Sequence, residues 1–455
     1  MWPGFKADFT GERRSPASMH IAVVSHSNPA RGGSCQYSLA IVAALASLPL
    51  ERDNVRCTLL ARSDRELGVL NGYGTAWERV RFPFASRERL MDMVETSLGD
   101  GLMRDAIKRA AYRLTPGRLT DPDRIWSNGM SRRFMERYAV DWVFYTTPTA
   151  QAFEIGLPYV MPVYDLQHRL QPEFSEVSAH GEWERREYLY RNGTRQATLI
   201  LADSEVGKED ILEYYGPYGV TPDRVKVLPY RPAPYLSPDV SEEERRRVRE
   251  AHRLPERYLF YPAQLWPHKN HLRIVQAIGR LKENKKSIVH LVLCGTHGGA
   301  IRTQVFRDMR SEASRLRIQD QIHYLGYVPN TDMSALYAEA VGLVMPTFFG
   351  PTNIPIVEAW LFGCPVLTSD IRGIREQVGD AGLLVDPRSV DAIAHGMDRL
   401  WQHEGVRAEL ACRGAQRLAA QSHEDFCTRL GQIIEEANQH VEKRSSLPNY
   451  IMVPA

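Results

Sequence analysis

Short, continuous hydrophobic runs recur along this chain, each followed by a polar or glycine-bearing turn and then an amphipathic stretch. Unbroken apolar runs of strand length mark strands covered on both faces, as in parallel sheets. In the first half the pattern predicts strands at 19–25, 56–61, 142–145, 159–164, 199–202 and 225–230, with helices at 36–46, 182–195 and 206–214. In the second half it predicts strands at 258–263, 287–294, 322–325, 340–345, 365–368 and 381–385. Helices at 272–284, 300–316, 332–339, 354–363, 389–401 and 424–443 separate and follow them. Strand–helix alternation of this kind argues for doubly wound parallel sheets. A Pro-rich stretch at 231–238, followed by the highly charged 242–253, reads as an interdomain linker and its flanking helix.

The expected fold class is therefore α/β, with two Rossmann-like doubly wound domains facing a cleft. The expected organisation is a loose extension at 1–18, domains at 19–232 and 233–424, and a last helix at 425–455 crossing back to the first domain. Between 77 and 139 the rhythm weakens. Helical stretches there carry Arg104, Lys108, Arg109, Arg113, Arg118, Arg124, Arg132 and Arg133. They read either as a solvated helix face or as a basic surface for an anionic membrane or a phosphate-bearing acceptor.

Composition narrows the function classes. At 455 residues the chain exceeds a single core. With 43% hydrophobic and 25% charged residues it is an ordinary globular composition. A net charge of +2 gives no argument for nucleic acid. Its six cysteines are widely spaced, without a CxxC or a metal-ligand pattern, so reduced thiols, no metal and a cytoplasmic location are expected. No apolar run is long enough to span a membrane, and the N-terminal residues lack the apolar centre of a signal peptide.

The candidate chemistry concentrates at strand ends in the second half. The run 344–367, VMPTFFGPTNIPIVEAWLFGCPVL, reads as strand, Gly/Pro/Thr/Asn turn, helix and strand. Pro355 at the helix start and Gly363 past its end are start and stop signals. The helix N-terminus presents unpaired N–H groups over the turn, a ready phosphate site. Lys269 sits on another strand-to-helix turn, and Glu358 one helical turn into 354–363. A cation with backbone amides holds a diphosphate without a metal, and a carboxylate accepts hydrogen bonds from both hydroxyls of a ribose. In the first half, Gly32 and Gly33 allow close approach to the backbone, and the cluster 165–169 places His168 at a strand's carboxyl end.

Five motifs in this order resemble the nucleotide-sugar half of retaining glycosyltransferases of family 4, which have the GT-B fold: YPAQLWPHKNH, HLVLCGTHGG, IHYLGYVP, GPTNIPIVEAW with FGCPVLTSD, and AGLLVDP. RGGSCQYSLA, YDLQHR and ILADSE extend the resemblance more loosely into the first half. The resemblance implies transfer of a hexose or deoxyhexose from a nucleotide-diphosphate sugar to a saccharide or lipid-linked saccharide acceptor, commonly in bacterial surface polysaccharide synthesis. It implies no metal or other cofactor, and it is compatible with work at the inner membrane face. Residue by residue, it assigns Lys269 and Gln264 to the diphosphate, with Gln264 standing where the family has arginine. Glu358 falls on the ribose, Tyr327, Val328, Gly295 and Thr296 on the base pocket, and Thr352 and Asn353 on the sugar. The amides of Asn353 and Ile354 are assigned to the diphosphate, Gly33 to the phosphate loop, and His168 to the reacting sugar. The chain departs from the family at Gly350, which stands in place of the first glutamate of the Glu–seven residues–Glu motif. Two readings follow: a working enzyme with a compensated site, or a catalytically silent subunit that binds a nucleotide sugar or a partner transferase.

Overall fold

The computed structural model describes residues 18–25, 32–50, 54–73, 76–82, 122–123, 125–285 and 287–445. The first domain is built on a seven-stranded sheet: β1 (Met19–Val24), β2 (Val55–Ala61), β3 (Glu78–Arg81), β4 (Trp142–Tyr145), β5 (Tyr159–Val163), β6 (Leu199–Ala202) and β7 (Val225–Val227). Their order is β3-β2-β1-β4-β5-β6-β7, and each neighbouring pair is parallel. The apolar runs serve both faces. Ile21, Val23, Phe144 and Leu201 point into one core cluster, and Ala22, Val24, Val143 and Ile200 into the other. This two-sided burial is why the runs are continuous rather than alternating.

The second domain has six strands: β8 (Leu259–Pro262), β9 (Leu291–Cys294), β10 (Ile322–Tyr324), β11 (Gly342–Met345), β12 (Val366–Ser369) and β13 (Leu383–Val385). Their order is β10-β9-β8-β11-β12-β13, again parallel throughout. In each sheet the order reverses once, between β1 and β4 and between β8 and β11. The carboxyl ends at such reversals are where open α/β sheets bind ligands.

The last helix, His423–Ser445, lies on the first domain. Phe426, Leu430, Ile433 and Ile434 join the cluster of Ile21 and Trp142. Trp142 Nε1–H donates to Asn438 at 2.8 Å, and Lys226 pairs with Glu436 at 2.7 Å.

Local chemistry moves several element boundaries. The helix predicted at 36–46 begins three residues earlier, as Gly33–Ser47, because Gly32 takes φ 60° as its N-cap and turns the chain straight from the loop into the helix. Strand β3 was not predicted: Glu-Arg-Val-Arg is an edge strand with little apolar content. Arg132 and Arg133 lie on the helix Gly129–Arg137, while the other six basic residues singled out above fall outside the described residues. Cys35, Cys57, Cys294 and Cys364 are buried, Cys427 is half-buried and Cys412 is exposed. Among the described residues no helix is long and apolar enough to cross a membrane.

Candidate functional site

A cavity of about 560 Å³ lies between the domains, at the carboxyl ends of both sheets. Gly33, Gln264, Lys269, Gly295, Thr296, Tyr327, Val328, Thr352, Asn353, Ile354 and Glu358 all line it. Strand β8 delivers Gln264 and, through the single turn Pro267–Lys269, the lysine. Strand β11 delivers the 350–353 turn and the helix Ile354–Leu361 that carries Glu358.

Lys269 is half-buried, and its Nζ donates to Asn353 Oδ1 at 3.1 Å. Burial pulls its pKa down to about 8, only partly opposed by Asp165. A partly desolvated ammonium is poorly compensated until an anion arrives. Glu358 is buried; Tyr337 O–H donates to its Oε2 at 2.7 Å, and burial raises the carboxyl to about 7 against that bond. Its Oε1 has no hydrogen-bond partner among the described residues. A buried acceptor without a donor in a ligand-sized cavity is an arrangement that a hydroxyl-bearing ligand completes.

Gln264 is held by a cation it was not expected to have. Its Oε1 accepts from Arg302 Nη1 at 3.0 Å and from Trp266 Nε1 at 3.0 Å. Arg302 is 8% exposed, also donates to Thr296 Oγ1 at 2.9 Å, and stands 4.9 Å over the Trp266 ring. With its oxygen fixed, Gln264 turns Nε2 toward Gly32, where a Cβ would lie 3.7 Å from it. The positive charge missing at position 264 therefore stands directly behind it.

Two assignments need correction. His168 does not reach the cavity. Asp165 Oδ1 accepts the Gln167 N–H at 3.0 Å and starts the short helix Gln167–Leu170, which turns His168 into the core. There His168 is fully buried, its Nε2 2.8 Å from Glu187 Oε1, with Tyr190 stacked at 5.8 Å. Glu187 also accepts from Arg169 at 2.7 Å and Tyr215 at 3.0 Å, so the histidine belongs to a structural network. Burial keeps it below its usual pKa, and hence neutral, against the pull of Glu187. The second correction concerns the Asn353 amide. Its N–H donates to Gln377 Oε1 at 2.9 Å while Gln377 Nε2 donates to Asn353 O at 2.9 Å, so that amide is spent inside the second domain.

Sequence reasoning missed much of the first-domain wall. Gln36, Asp165, Glu176, Glu182 and Arg186 line the cavity, as does His268 of the second domain. Asp165 keeps its charge because Arg186, 2.9 Å away, and the Gln167 amide together outweigh burial. The domains touch at several polar points around this wall: Thr352 O–H donates to Asp203, Gln167 Nε2 donates to Gly350 O at 3.1 Å, and Gln36 Nε2 donates to Tyr235 O–H at 2.9 Å.

Residues 242–417 match the family model described as Glycosyl transferases group 1. O-antigen chain mannosyltransferase B of Escherichia coli is 33% identical over 171 residues, 38% of this chain and 44% of that protein. D-inositol 3-phosphate glycosyltransferase of Salinispora tropica is 27% identical over 234 residues, 49% of this chain and 48% of that protein. The chain thus spans about half the length of these curated relatives. Among solved structures, Anabaena HepE in complex with UDP and glucose superposes with a TM-score of 0.61 at 18% identity, over 92% of this chain and 100% of that one. WaaG, a glycosyltransferase involved in lipopolysaccharide biosynthesis, gives 0.62 at 15% identity, over 91% of this chain and 99% of that one. The chain has an α/β GT-B fold, and its second domain is similar to the group 1 glycosyl transferases.

Proposed function

We propose that this protein transfers a hexose or deoxyhexose from a nucleotide-diphosphate sugar to a hydroxyl of a saccharide or lipid-linked saccharide, with retention at the anomeric carbon. The observation that carries the reading is the pairing of Lys269 with the open Glu358 Oε1 in one interdomain cavity at both sheet reversals. The carboxylate suits ribose hydroxyls and the cation suits a diphosphate, so no metal is needed to hold the nucleotide. As the leaving diphosphate gains charge, Lys269 and the Arg302-backed Gln264 amide stabilise it electrostatically. No protein nucleophile enters the scheme; a leaving phosphate oxygen accepts the acceptor's proton on the same face.

The relatives named as mannosyltransferases make mannosyl transfer the first chemistry to test. A role in surface polysaccharide or glycoconjugate synthesis has the same support. For work at a membrane face, the support is the helix Gly129–Arg137. Arg132 and Arg133 lie on it, with Trp126 and Met130 exposed nearby.

A thermal-shift screen against UDP, GDP, ADP and dTDP, with and without their common sugars, tests the reading. A nucleotide at a hundred times its Kd adds about 2.7 kcal/mol of apparent stability. Transfer to a saccharide acceptor and the anomeric configuration of the product then follow by NMR. Stabilisation by a nucleotide sugar without transfer to any acceptor would favour the silent-subunit reading, for which Gly350 and Gln264 are the grounds. No stabilisation by any nucleotide would overturn the transferase reading and leave only a silent subunit that binds a partner transferase.

A further inference from the structure

Four carboxylates line the cavity: Asp165, Glu176, Glu182 and Glu358. Asp165 and Glu182 are bound by Arg186, and Glu182 also by Arg185. Glu358 and Glu176 are different, because each keeps one buried oxygen without a hydrogen-bond partner among the described residues. Glu358 is accounted for by the ribose. Glu176, which neither the motifs nor the resemblance single out, is not accounted for.

Glu176 sits in the single helical turn Ser175–Ser178 of the first domain, which docks on the second. Val177 packs with Phe348 and Phe349, and Phe174 meets Phe349 edge-on at 5.0 Å. The docking sets Glu176 against His268: its Oε1 accepts the His268 backbone N–H at 3.0 Å and lies 2.8 Å from Nδ1. Burial favours the neutral carboxyl, but the side-chain and backbone hydrogen bonds and charge around His268 together outweigh it and hold Glu176 below the usual carboxylate range, ionised. An ionised carboxylate only accepts, so Nδ1 carries the proton of this bond. His268 itself is neutral, pulled down to about 4 chiefly by burial.

The side chain is 5% exposed, and Oε2 is the oxygen left open. A charged acceptor in that state is costly unless a ligand supplies a donor. His268 is the chain neighbour of Lys269, so this acceptor stands beside the diphosphate end of the cavity. The adjoining position Gly350 contributes no side chain of its own. A neutral donor-bearing group next to a diphosphate is what the sugar of a nucleotide sugar presents.

We propose that Glu176 is a binding residue for the sugar of the nucleotide-sugar substrate, its Oε2 accepting a hydrogen bond from a sugar hydroxyl. The proposal rests on the nucleotide-sugar reading of the cavity. It gives the first domain a share in sugar selection, and it favours hexoses that keep the partnering hydroxyl over deoxy analogues.

Calorimetry on wild type, Glu176→Gln and Glu176→Ala tests it, with UDP against UDP-glucose and GDP against GDP-mannose. The Gln variant keeps the size of the side chain and an acceptor for His268, so it guards against simple misfolding. In Glu176→Ala the sugar nucleotide should lose about tenfold or more in affinity, while the bare nucleotide changes less than twofold. A set of deoxy-sugar nucleotides identifies the hydroxyl: the analogue lacking it should bind wild type and Glu176→Ala equally. Equal losses for nucleotide and sugar nucleotide in both variants would overturn the proposal, because Glu176 would then act only by docking on His268. Unchanged affinity for the sugar nucleotide would overturn it as well. If wild type binds no nucleotide at all, the parent reading falls and this one with it, an outcome distinct from a loss confined to the sugar.

Discussion

Replacing Lys269 with methionine keeps the length of the side chain and removes its charge, and the structure sets two opposite consequences. Lowering an ammonium from its ordinary 10.5 to about 8 corresponds to roughly 3 kcal/mol against its charged form. Lys269 is half-buried, and solvent screening reduces that to about 1–2 kcal/mol. Loss of its bond to Asn353 returns about 1 kcal/mol. The unliganded variant at pH 7 should therefore be between equal to wild type and about 1 kcal/mol more stable, which raises Tm by roughly 0–3 °C. The sign with pH is fixed. Between about 8 and the unfolded lysine value near 10.4 the unfolded chain binds more protons than the folded one. Wild type therefore gains stability as pH rises through that window, and the variant's advantage at pH 7 fades. Binding moves the other way. A lost charge-assisted contact to diphosphate costs about 1.5–3 kcal/mol, or roughly 10- to 150-fold in Kd. Differential scanning calorimetry and titration with UDP and GDP read both effects. A variant that unfolds several degrees earlier yet binds both nucleotides as wild type does would refute the reasoning, for Lys269 would then be structural.

Glu358→Gln should flatten two pH dependences. With the folded carboxyl raised by burial to about 7, the folded wild type holds an extra proton between about 4.3 and 7. Its stability therefore falls as pH rises through that window, and the glutamine variant lacks this slope. Ribose hydroxyls need the ionised form, so wild-type affinity for a nucleotide diphosphate should rise through pH 7 and fall again above the Lys269 value of about 8. Titrations from pH 6 to 9 would show only the falling limb in Glu358→Gln. Arg302→Ala removes the charged one of the two donors that hold the Gln264 oxygen and should weaken nucleotide diphosphates by about fivefold, or 1 kcal/mol, while leaving the nucleoside unaffected. Gln264→Arg should also weaken binding, because it sets a second guanidinium against Arg302, and combining it with Arg302→Gln should restore affinity; a double-mutant cycle measures this. His168→Ala should cost roughly 2–4 kcal/mol of stability by breaking a buried network around Glu187 and leave nucleotide Kd unchanged. A Kd shift beyond the loss of folded protein would return His168 to the site.

The sequence carried the two-domain α/β plan because buried parallel strands need continuous apolar runs, as in Leu199–Ala202 and Gly342–Met345. It carried the second-domain side of the site because Lys269 and Asn353 sit on strand-to-helix turns marked by Pro267 and Pro355, and Glu358 follows one turn into the second of these helices. It did not carry the first-domain wall. Glu176 and Arg186 lie on helical stretches where charged residues are ordinary, and only the packing of Phe174 and Val177 on Phe348 and Phe349 turns Glu176 to the cavity. His168 misled for a related reason: one hydrogen bond, Asp165 to the Gln167 amide, rotates the strand-end cluster by a helical turn. Arg302 was invisible because its partner Gln264 is 38 residues away in the chain.

The two departures from the family pattern have a common form. At 264 and at 350 the expected charge is absent from the cavity-lining position and present on a neighbouring element: Arg302 behind Gln264, and Glu176 across the cleft from the Gly350 turn. The turn itself is used for something else. Gly350 O accepts from Gln167, a Cβ at Gly350 would lie 3.3 Å from Arg372 O, and Arg372 binds Asp210 and, at 2.6 Å, Glu209. Glu376 accepts the N–H groups of Glu205 and Val206, each at 3.3 Å. A glutamate at 350 would have to grow into this seam between the domains. With the turn given over to docking, the proposed sugar carboxylate belongs to the first domain and would reach the sugar only while the domains are docked. Parted, Glu176 loses both His268 donors, whereas Lys269 and Glu358 stay together on the second domain. Under the proposed function, the nucleotide half of the substrate would then bind to the second domain alone and the sugar would be read only on closure, which would tie selection of the sugar to the exclusion of water from the reacting bond.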